Sequence, residues 1–521
     1  MSASFPGHLA ALLQPRAYPH PVDAVTLVET HISWILLAGE FAYKIKRPVC
    51  FPFIDLRSLE RRAHFCREEL RLNRRFAPQL YLDVCAITVA DGEARIGGTG
   101  ELVDHAVKMR RFRRADELDN LLAQERIEPE ELGSFGRELA SIHTSLPVVQ
   151  PSTIWGDPKA VHSATLKNLE ECAQASAVFD RTAEVQALKP EIQRRLDTAA
   201  CWMSERRKNG RVRECHGDLH AANVVRLGLR LVAFDCMEFE PAFRWIDVAD
   251  EIAFLVADLE AQQYPRHARA FLDGYLAQSG DYQACRLLSL YETHRALVRA
   301  KVTALSQTGS GAASPDDTGR LRHSAYLDCA RRALARKRPT LVLVSGLSGS
   351  GKTWLADRLA PTLGAVHLRS DVERKRLAGL AELSRSGAPV GEGMYSNDFT
   401  ARVYERLAGA AEDVLAGGYT AIVDATFVRR HDRDLFRELA RRSGVMACLI
   451  HCRASHEVLA RRIVERDLYR KDASEADVAV LDWQTKHWEP AAADEQWAVI
   501  TVETAHVDLD DLTRRIATFK G

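Results

Sequence analysis

At 521 residues the chain is longer than a single hydrophobic core usually supports, so two or three domains are expected. Apolar residues make up 46% and charged residues 27%, which excludes a disordered chain, and equal totals of 71 basic and 71 acidic residues leave no net charge to attract nucleic acid. The eleven cysteines form no CxxC pair or metal-ligand cluster, and no apolar run approaches the roughly 18 residues of a membrane span, which predicts a cytoplasmic protein without a membrane segment.

The N-terminal part alternates apolar and polar residues in short runs, which predicts an antiparallel sheet. These runs are VTLVE, SWILLA and FAYKIK. Apolar residues then recur every three to four positions from about Leu56 to Phe76, which predicts a helix. The runs LYLDVCAITV and DHAVKMRRF predict further strands, and Glu131 to about Arg207 reads as largely helical. A sheet followed by helices is typical of an α+β domain.

The segment HGDLHAAN has the spacing of a kinase catalytic loop. Asp218 and Asn223 are five residues apart, as in HxDxxxxN, and Asp235 follows twelve residues later at the end of the predicted strand LVAFD. In that pattern the first Asp accepts the proton of the substrate hydroxyl, and the Asn and the second Asp bind Mg²⁺. The alternative is a structural loop of buried His and Asp residues.

The segments HGDLHAANVV and AFDCMEFEPAFRWIDVADEIAFL resemble the aminoglycoside phosphotransferase and choline kinase family, over about residues 20 to 335. This resemblance implies a protein-kinase-like α+β fold that binds ATP and Mg²⁺. It makes Asp218 the catalytic base, Asn223 and Asp235 the metal ligands and Glu238 a further candidate ligand. It also makes Asp247 a residue that braces the catalytic loop.

The sequence offers two candidates for the phosphate-binding lysine and two for its carboxylate partner. FAYKIK carries an A-x-K pattern on a predicted strand, so Lys44 is the candidate, but Lys46 lies on the same face. In the following helix we favour Glu69 over Glu68 as the partner; all four could instead be surface charges. The resemblance also places Met109 near the adenine base. No GxGxxG loop precedes the lysine, and the only nearby glycine is Gly39, in a predicted hairpin.

A second domain is predicted after a basic helix that ends at ARRALARKRP. From there strands and helices alternate, the strands being TLVLVSG, AVHLRSD, YTAIVDATF, VMACLIHC and QWAVITVE. This alternation predicts a parallel sheet covered by helices. We therefore divide the chain into residues 1–335 and 336–521.

The first strand of this second domain leads into GLSGSGKT, a complete GxxxxGK[ST] motif followed by a predicted helix. The strand and the helix are the context in which such a loop binds phosphate through inward-facing N–H groups. A flexible Gly/Ser turn is the alternative. The predicted nucleotide-binding residues are Gly346, Ser348, Gly349, Ser350, Gly351, Lys352 and Thr353, and the Thr353 hydroxyl is also a predicted Mg²⁺ ligand.

Two carboxylates and two arginines complete the predicted second site. Asp371 and Asp424 each end a strand, so both should lie at the carboxyl edge of the sheet. We assign Asp371 as the base and Asp424 to metal support, with helix capping as the alternative. Arg462 and Arg466 share one helix face and are predicted to contact the transferring phosphate, unless that face is only solvated.

GLSGSGKT, LRSD, DATF and the arginine helix with its following DASEADVAVLDWQ resemble the small P-loop kinases, over roughly residues 339 to 521. The two resemblances together imply a bifunctional phosphotransferase in which each domain moves the γ-phosphate of Mg-ATP to a small-molecule hydroxyl. One alternative is a P-loop enzyme regulated by a catalytically silent, ligand-sensing N-terminal domain. Another is an interaction protein with ATP as a structural ligand. The sequence does not determine the acceptors or the oligomeric state.

Overall fold

The computed structural model describes residues 5–51, 54–308, 316–335, 339–382, 384, 392–469 and 473–518. It divides into two compact units. The first unit comprises Met1–Glu131, Ile142–Val161 and Glu205–Leu255, and the second comprises Leu132–Ser141, His162–Ser204 and Val256–Gly521. The domain boundary predicted between residues 335 and 336 does not coincide with a limit of either unit. Residues 336–338 lie outside the described residues. That division therefore stays a prediction.

The first unit opens with a mostly antiparallel region. Its strands are β1 Val25–Glu29, β2 Ser33–Ala38, β3 Phe41–Lys46, β4 Cys50–Phe51, β5 Ile54–Asp55, β6 Tyr81–Ala90, β7 Glu93–Ile96 and β8 Glu101–Arg110. Six of them form one sheet in the order β1-β2-β3-β8-β6-β7, and every neighbouring pair is antiparallel. The predicted sheet is therefore confirmed, with β7 and the β4–β5 hairpin as additional strands.

Strand β3 divides its side chains between two environments. Tyr43 and Ile45 are buried in a core with Trp34 from β2. The alternate positions Lys44 and Lys46 point to the other face, because side chains along a strand alternate. On that face packs the helix predicted after the strands, α1 Leu59–Asn73.

The chain continues through helices and short strands that precede and follow the predicted catalytic loop in the sequence. These are α2 Leu118–Ala123, α3 Pro129–Ser145, α4 Pro158–Ala175, α5 Thr182–Gln186, α6 Lys189–Lys208, β9 Val212–Glu214, β10 Val224–Leu227, β11 Arg230–Ala233, α7 Pro241–Arg244, β12 Trp245–Asp247 and α8 Val248–Ala261. Antiparallel pairing joins β10 to β11 and β9 to β12. The loop from residue 215 to 223 therefore runs from one small ladder to the other.

The second unit combines helices from the middle of the chain with a parallel sheet. Its further elements are α9 Pro265–Ser279, α10 Cys285–Thr308, α11 Asp317–Leu334, β13 Thr340–Ser345, α12 Lys352–Leu363, β14 Ala365–Arg369, α13 Ser370–Leu377, α14 Asn397–Ala416, β15 Thr420–Asp424, α15 Arg430–Ser443, β16 Met446–Arg453, α16 His456–Tyr469, α17 Val478–His487, β17 Ala498–Glu503 and α18 Leu509–Thr518. The sheet order is β14-β15-β13-β16-β17, and all neighbouring pairs are parallel. All five strands were predicted, and their parallel direction is confirmed.

The parallel sheet packs closely against α9 and α10 within this unit. Helix α9 lies along the edge strand β14. At the start of α10, Arg286 Nε lies 2.5 Å from Asp413 Oδ1 of α14. A Cβ added at Gly417, which follows α14, would come within 2.1 Å of the Cys285 carbonyl oxygen, so the backbones touch there. Among the described helices none has both the length and the apolarity to cross a membrane.

Candidate active sites

The first site is organised by a buried lysine on β3. Lys44 Nζ lies 2.8 Å from Glu69 Oε1 of α1 and 2.5 Å from Asp235 Oδ1, which follows β11. Burial alone would lower the pKa of Lys44, but the carboxylates of Asp235, Glu69 and Glu238 outweigh it and raise that pKa well above its usual value. Burial alone would raise the pKa of Asp235, but Lys44 outweighs it and lowers that pKa. Both shifts favour the ionised forms of Lys44 and Asp235.

The second lysine on the same face has a different partner. Lys46 Nζ lies 2.5 Å from Glu69 Oε2, the other oxygen of the shared carboxylate, and it pairs with Glu238. The side chain of Glu68 instead forms a 2.8 Å ion pair with Arg71. Both lysines thus reach Glu69 rather than Glu68, and Lys44 is the one that reaches Asp235. Glu238, a candidate metal ligand from the resemblance, is buried against Lys46.

The catalytic-loop residues are drawn together by one amide. Asn223 Nδ2 donates to the Asp218 carbonyl oxygen at 2.9 Å and to Asp218 Oδ2 at 3.1 Å. Gly217 has a φ of +87°, and a Cβ there would lie 2.8 Å from the Phe243 carbonyl oxygen. The glycine is therefore required for the sharp turn into Asp218. The Asp218 side chain remains 32% exposed, so part of its carboxylate is accessible from solvent.

The two predicted metal ligands of this site lie at the open end of the β10–β11 hairpin. The Phe234 N–H donates to the Asn223 carbonyl oxygen at 2.9 Å, which places Asp235 one residue beyond this pairing. Asp235 has a φ of +64°, an uncommon value for a non-glycine residue, and its N–H donates to the Tyr81 hydroxyl at 3.1 Å. One amide and one carboxylate are oxygen donors of the kind that Mg²⁺ prefers, so these residues fit the ion.

Glu251, and not Asp247, braces the catalytic loop. Glu251 accepts the His216 N–H at 2.6 Å and the Gly217 N–H at 3.0 Å from its position on α8. Asp247 instead forms a buried pair with Arg206, with two contacts of 2.8 Å. The prediction that Asp247 braces the loop is therefore wrong, and the carboxylate one helical turn later makes the contact.

Met109, the predicted adenine neighbour, lies on β8 and is buried. It packs in one cluster with Ala42 of β3 and with Val225 and Val232 of the β10–β11 hairpin. This apolar cluster forms a boundary between the sheet and the hairpin that carries the metal ligands. Proximity of Met109 to a base stays a prediction.

The second site is a phosphate-binding loop between β13 and α12. Gly346, Gly349 and Gly351 all have positive φ values, of +149°, +81° and +81°. A Cβ at Gly349 would lie 2.6 Å from the Leu459 carbonyl oxygen, and one at Gly351 would lie 2.7 Å from Thr504 Oγ1. Only glycine fits these positions without displacement of the neighbours. The predicted loop residues thus share one tight turn ahead of the helix N-terminus.

The residues predicted to support a metal at this second site form a connected set. Thr353 Oγ1 donates to Asp424 Oδ2 at 2.6 Å, and His367 Nε2 lies 3.4 Å from the same oxygen. Burial alone would raise the pKa of Asp424, but His367, Lys352 and Thr353 outweigh it and lower that pKa. Among the described residues, Asp424 Oδ1 is buried without a hydrogen-bond partner, so an oxygen is available for a metal-bound water. These residues fit a Mg²⁺ ion.

The predicted base and the two arginines occupy different positions around the loop. The prediction that Asp371 ends a strand is wrong, because β14 ends at Arg369 and Asp371 is the second residue of α13. The backbone of Arg369 lies opposite Asp424 in the sheet. Arg462 donates to the Gly349 carbonyl oxygen at 3.3 Å, whereas Arg466 donates to the Ala476 carbonyl oxygen at 2.7 Å. Arg462 thus contacts the phosphate loop directly, and the catalytic roles of all three residues stay predictions.

Three residues of this second site were missed in the sequence. His367 contacts Asp424, Thr504 donates to the Ser350 carbonyl oxygen at 2.9 Å, and Gln484 accepts the Ser348 N–H at 2.9 Å. His367 is on a strand whose burial pattern favours apolar residues, and the other two come from distant parts of the chain. Only their arrangement in space identifies them.

Two family models match separate parts of the chain. Residues 55–288 match the model of the phosphotransferase enzyme family, and residues 341–491 match that of an AAA domain. An uncharacterized protein of Mycobacterium tuberculosis is 29% identical over 477 residues, which cover 90% of this chain and 93% of that protein. A shikimate kinase of Caulobacter vibrioides is 32% identical over 174 residues, which cover 33% of this chain and 80% of the kinase.

A choline/ethanolamine kinase family protein from Mesorhizobium loti, known from its crystal structure, is also similar. It has a TM-score of 0.34 and 11% identity, and the match covers 61% of this chain and 92% of that one. The chain therefore carries a phosphotransferase-family domain with a kinase-like fold over residues 55–288 and a P-loop kinase-like AAA domain over residues 341–491.

Proposed function

We propose that the chain is a bifunctional ATP-dependent phosphotransferase, with each site moving the γ-phosphate of Mg-ATP to a hydroxyl of a small molecule. The observation that carries this proposal is the presence of two unrelated sites with the same chemical parts. Each has a lysine for phosphate, oxygen ligands for Mg²⁺ and a carboxylate to accept a proton.

At the first site Lys44 holds the α- and β-phosphates, and Glu69 fixes the lysine from α1. Asn223 and Asp235 would hold Mg²⁺, which neutralises charge on the β- and γ-phosphates when bound. Asp218 accepts the proton of the acceptor hydroxyl as its oxygen bonds to the γ-phosphorus and the bond from that phosphorus to the bridging oxygen of ADP breaks. The Asn223 amide orients the Asp218 carboxylate for this step.

At the second site the amides of the phosphate loop and Lys352 hold the phosphates, while Thr353 and Asp424 would hold Mg²⁺ directly and through water. Asp371 accepts the acceptor proton from the start of α13. Arg462 and Arg466 counter the charge that develops on the transferring phosphoryl group.

We infer the class of acceptor from the carboxylate bases of the two sites and from one similar protein. A carboxylate base suits an alcohol acceptor. The relative named for shikimate suggests that polyhydroxylated carboxylic acids belong in the substrate panel for the second site. We place the reaction in the cytoplasm, where ATP is available and where the cysteines, which form no disulfide among the described residues, stay reduced.

The test uses two variants of the full chain, Asp218→Asn and Lys352→Ala, and measures ADP release with a panel of hydroxylated metabolites. Each variant should abolish transfer to one set of acceptors and leave the other set unchanged. If Asp218→Asn leaves every transfer intact while Lys352→Ala abolishes all of them, the N-terminal domain is a ligand sensor. This second outcome is worth testing because the hairpin before Lys44 contains one glycine, Gly39, in place of a GxGxxG loop.

A further inference from the structure

Gln484 of α17 is in direct contact with the phosphate loop of the second site. The Ser348 N–H donates to Gln484 Oε1 at 2.9 Å, and both residues are buried. Because a backbone N–H can only donate, the oxygen of the side-chain amide has to face it, and the Nε2 group takes the other position. The orientation of the Gln484 amide is therefore fixed by the loop itself.

The nitrogen of this amide has no hydrogen-bond partner among the described residues. Gln484 is only 7% exposed, and Nε2 belongs to the small part of the side chain that stays accessible. Most buried side-chain polar groups in proteins have a hydrogen-bond partner. Gln484 therefore presents an unused N–H donor beside a loop whose glycines and helix N-terminus suit it to bind phosphate.

Packing of α16 and α17 holds Gln484 in this place. Leu481, about one helical turn before Gln484, is buried in an apolar cluster with two residues of α16. Leu347 of the phosphate loop packs against the same cluster. Helix α17 also begins at a capped position, where the Asp477 side chain accepts the Val480 N–H at 2.9 Å. The backbone that carries Gln484 is therefore positioned by contacts that do not involve its amide.

The contacts of the loop carbonyls show which way the loop amides point. Thr504 Oγ1 donates to the Ser350 carbonyl oxygen at 2.9 Å. The C=O and N–H of a trans peptide point in opposite directions, so the Gly351 N–H is directed away from Thr504. This amide and those of the first turn of α12 are the ones that a helix N-terminus offers to phosphate. The Ser348 N–H is instead engaged by Gln484, which offers Nε2 in its place.

We propose that Gln484 donates from Nε2 to the γ-phosphate of ATP at the P-loop site, and that the Ser348 N–H holds the amide in the donating orientation. Such a loop cradles the α- and β-phosphates. Ser348 lies three residues ahead of Gly351, the N-cap of α12, so a donor beside it serves a phosphate beyond those on the helix N-terminus. Gln484 is then a further catalytic residue, because a fixed donor stabilises charge on the transferring group. This inference rests on the proposed function of the second site, namely that the loop binds ATP.

The experiment measures binding of ADP and of β,γ-imido-ATP to the full chain by calorimetry in the presence of Mg²⁺. The P-loop event is the one that Lys352→Ala removes. Gln484→Glu keeps an oxygen for the Ser348 N–H but has no N–H group to donate. We expect this variant to lower the affinity for β,γ-imido-ATP, relative to that for ADP, by about 10- to 100-fold, which corresponds to one hydrogen bond to a charged group.

A second variant, Gln484→Met, removes the acceptor and the donor together. The Ser348 N–H then stays buried without its partner, so the affinity for ADP should fall about 5- to 100-fold. The affinity for β,γ-imido-ATP should fall further, by the same additional factor as in Gln484→Glu. Thr485→Val is the matched control, because the Thr485 hydroxyl donates to the Leu481 carbonyl oxygen of its own helix at 2.8 Å. This control should bind both nucleotides as wild type does.

The two nucleotides separate a contact to the γ-phosphate from mere support of the loop. If Gln484 only shapes the loop, Gln484→Glu should keep the wild-type ratio of the two affinities, and Gln484→Met should weaken both nucleotides equally. Either result would overturn the proposal, and Gln484→Met decides alone if thermal unfolding shows that the Glu variant is not folded. If Lys352→Ala removes no binding event from the wild-type chain, the proposed function of the second site fails instead.

Discussion

We expect Lys46 of β3 to contribute mainly to stability and Lys44 mainly to turnover at the first site. Substitution of each lysine tests this assignment. Lys46 is fully buried, and its partners Glu69 and Glu238 are 0% and 4% exposed. Lys44 also contacts Glu69, but its second partner, Asp235, has a side chain that is 44% exposed. Loss of Lys46 thus leaves a carboxylate buried without its counter-charge, and loss of Lys44 leaves one that water can reach.

Removal of one member of a buried ion pair costs about 3–5 kcal/mol, so Lys46→Met should lower the free energy of unfolding by that amount. For a unit of roughly 200 residues, at about 2–4 °C per kcal/mol, this corresponds to a drop of roughly 6–20 °C in the melting temperature. Lys44→Met should lower it less. It should instead reduce turnover at the first site by about 10²–10³-fold, the loss typical of one donor to a transition-state anion.

The assays are thermal unfolding followed by circular dichroism and ADP release with a first-site acceptor. The double variant Lys46→Met/Glu238→Gln is the control, because removal of both charges should recover much of the stability lost in the single variant. The reasoning is refuted if Lys46→Met melts within a degree or two of wild type, or if Lys44→Met retains full turnover.

Three other predictions address the loop, pH and metal. Gly349→Ala should abolish nucleotide binding at the second site, measured by calorimetry, because its Cβ would lie 2.6 Å from the Leu459 carbonyl oxygen at a φ of +81°. Burial would raise the pKa of Glu214, but its arginine partners outweigh it and lower that pKa to about 2, so its stabilisation is complete above its unfolded pKa and is lost as pH falls toward 2. Melting temperatures of Glu214→Gln should therefore depend less on pH between about 5 and 2 than those of wild type. In EDTA, Asp424→Asn should bind ADP as wild type does, and a difference would contradict its metal role.

Motifs with fixed local spacing made much of both sites predictable. The phosphate loop, the interval from Asp218 to Asn223 and the five strands of the parallel sheet each depend on residues close together in the chain. The sequence could not show which of Lys44 and Lys46 is the phosphate-binding lysine. Side chains alternate along a strand, so both lysines lie on the same face, and only their contacts distinguish them. Those partners come from α1 and from residues 235 and 238, nearly two hundred positions away.

The carboxylate that braces the catalytic loop could not be predicted from the sequence for a different reason. Asp247 is the last residue of β12, and Glu251 follows four residues later in the first turn of α8. Their roles are assigned by what surrounds each of them. Arg206 of α6 engages Asp247, while the loop amides reach Glu251. A local pattern that fits both carboxylates equally cannot choose between them.

The contacts between the parallel sheet and the helices that precede it in the chain show that packing can extend across a change of pattern in the sequence. Composition and periodicity place a boundary before β13, because a new strand-helix alternation begins there. Yet the buried Tyr419 hydroxyl donates to Glu292 of α10, and Gly417 lies against the carbonyl of Cys285. Without α10 the tyrosine hydroxyl would lose a buried acceptor, and without α9 the edge strand would lose its cover. The parallel sheet is therefore a distinct motif in sequence but depends on preceding helices for its packing.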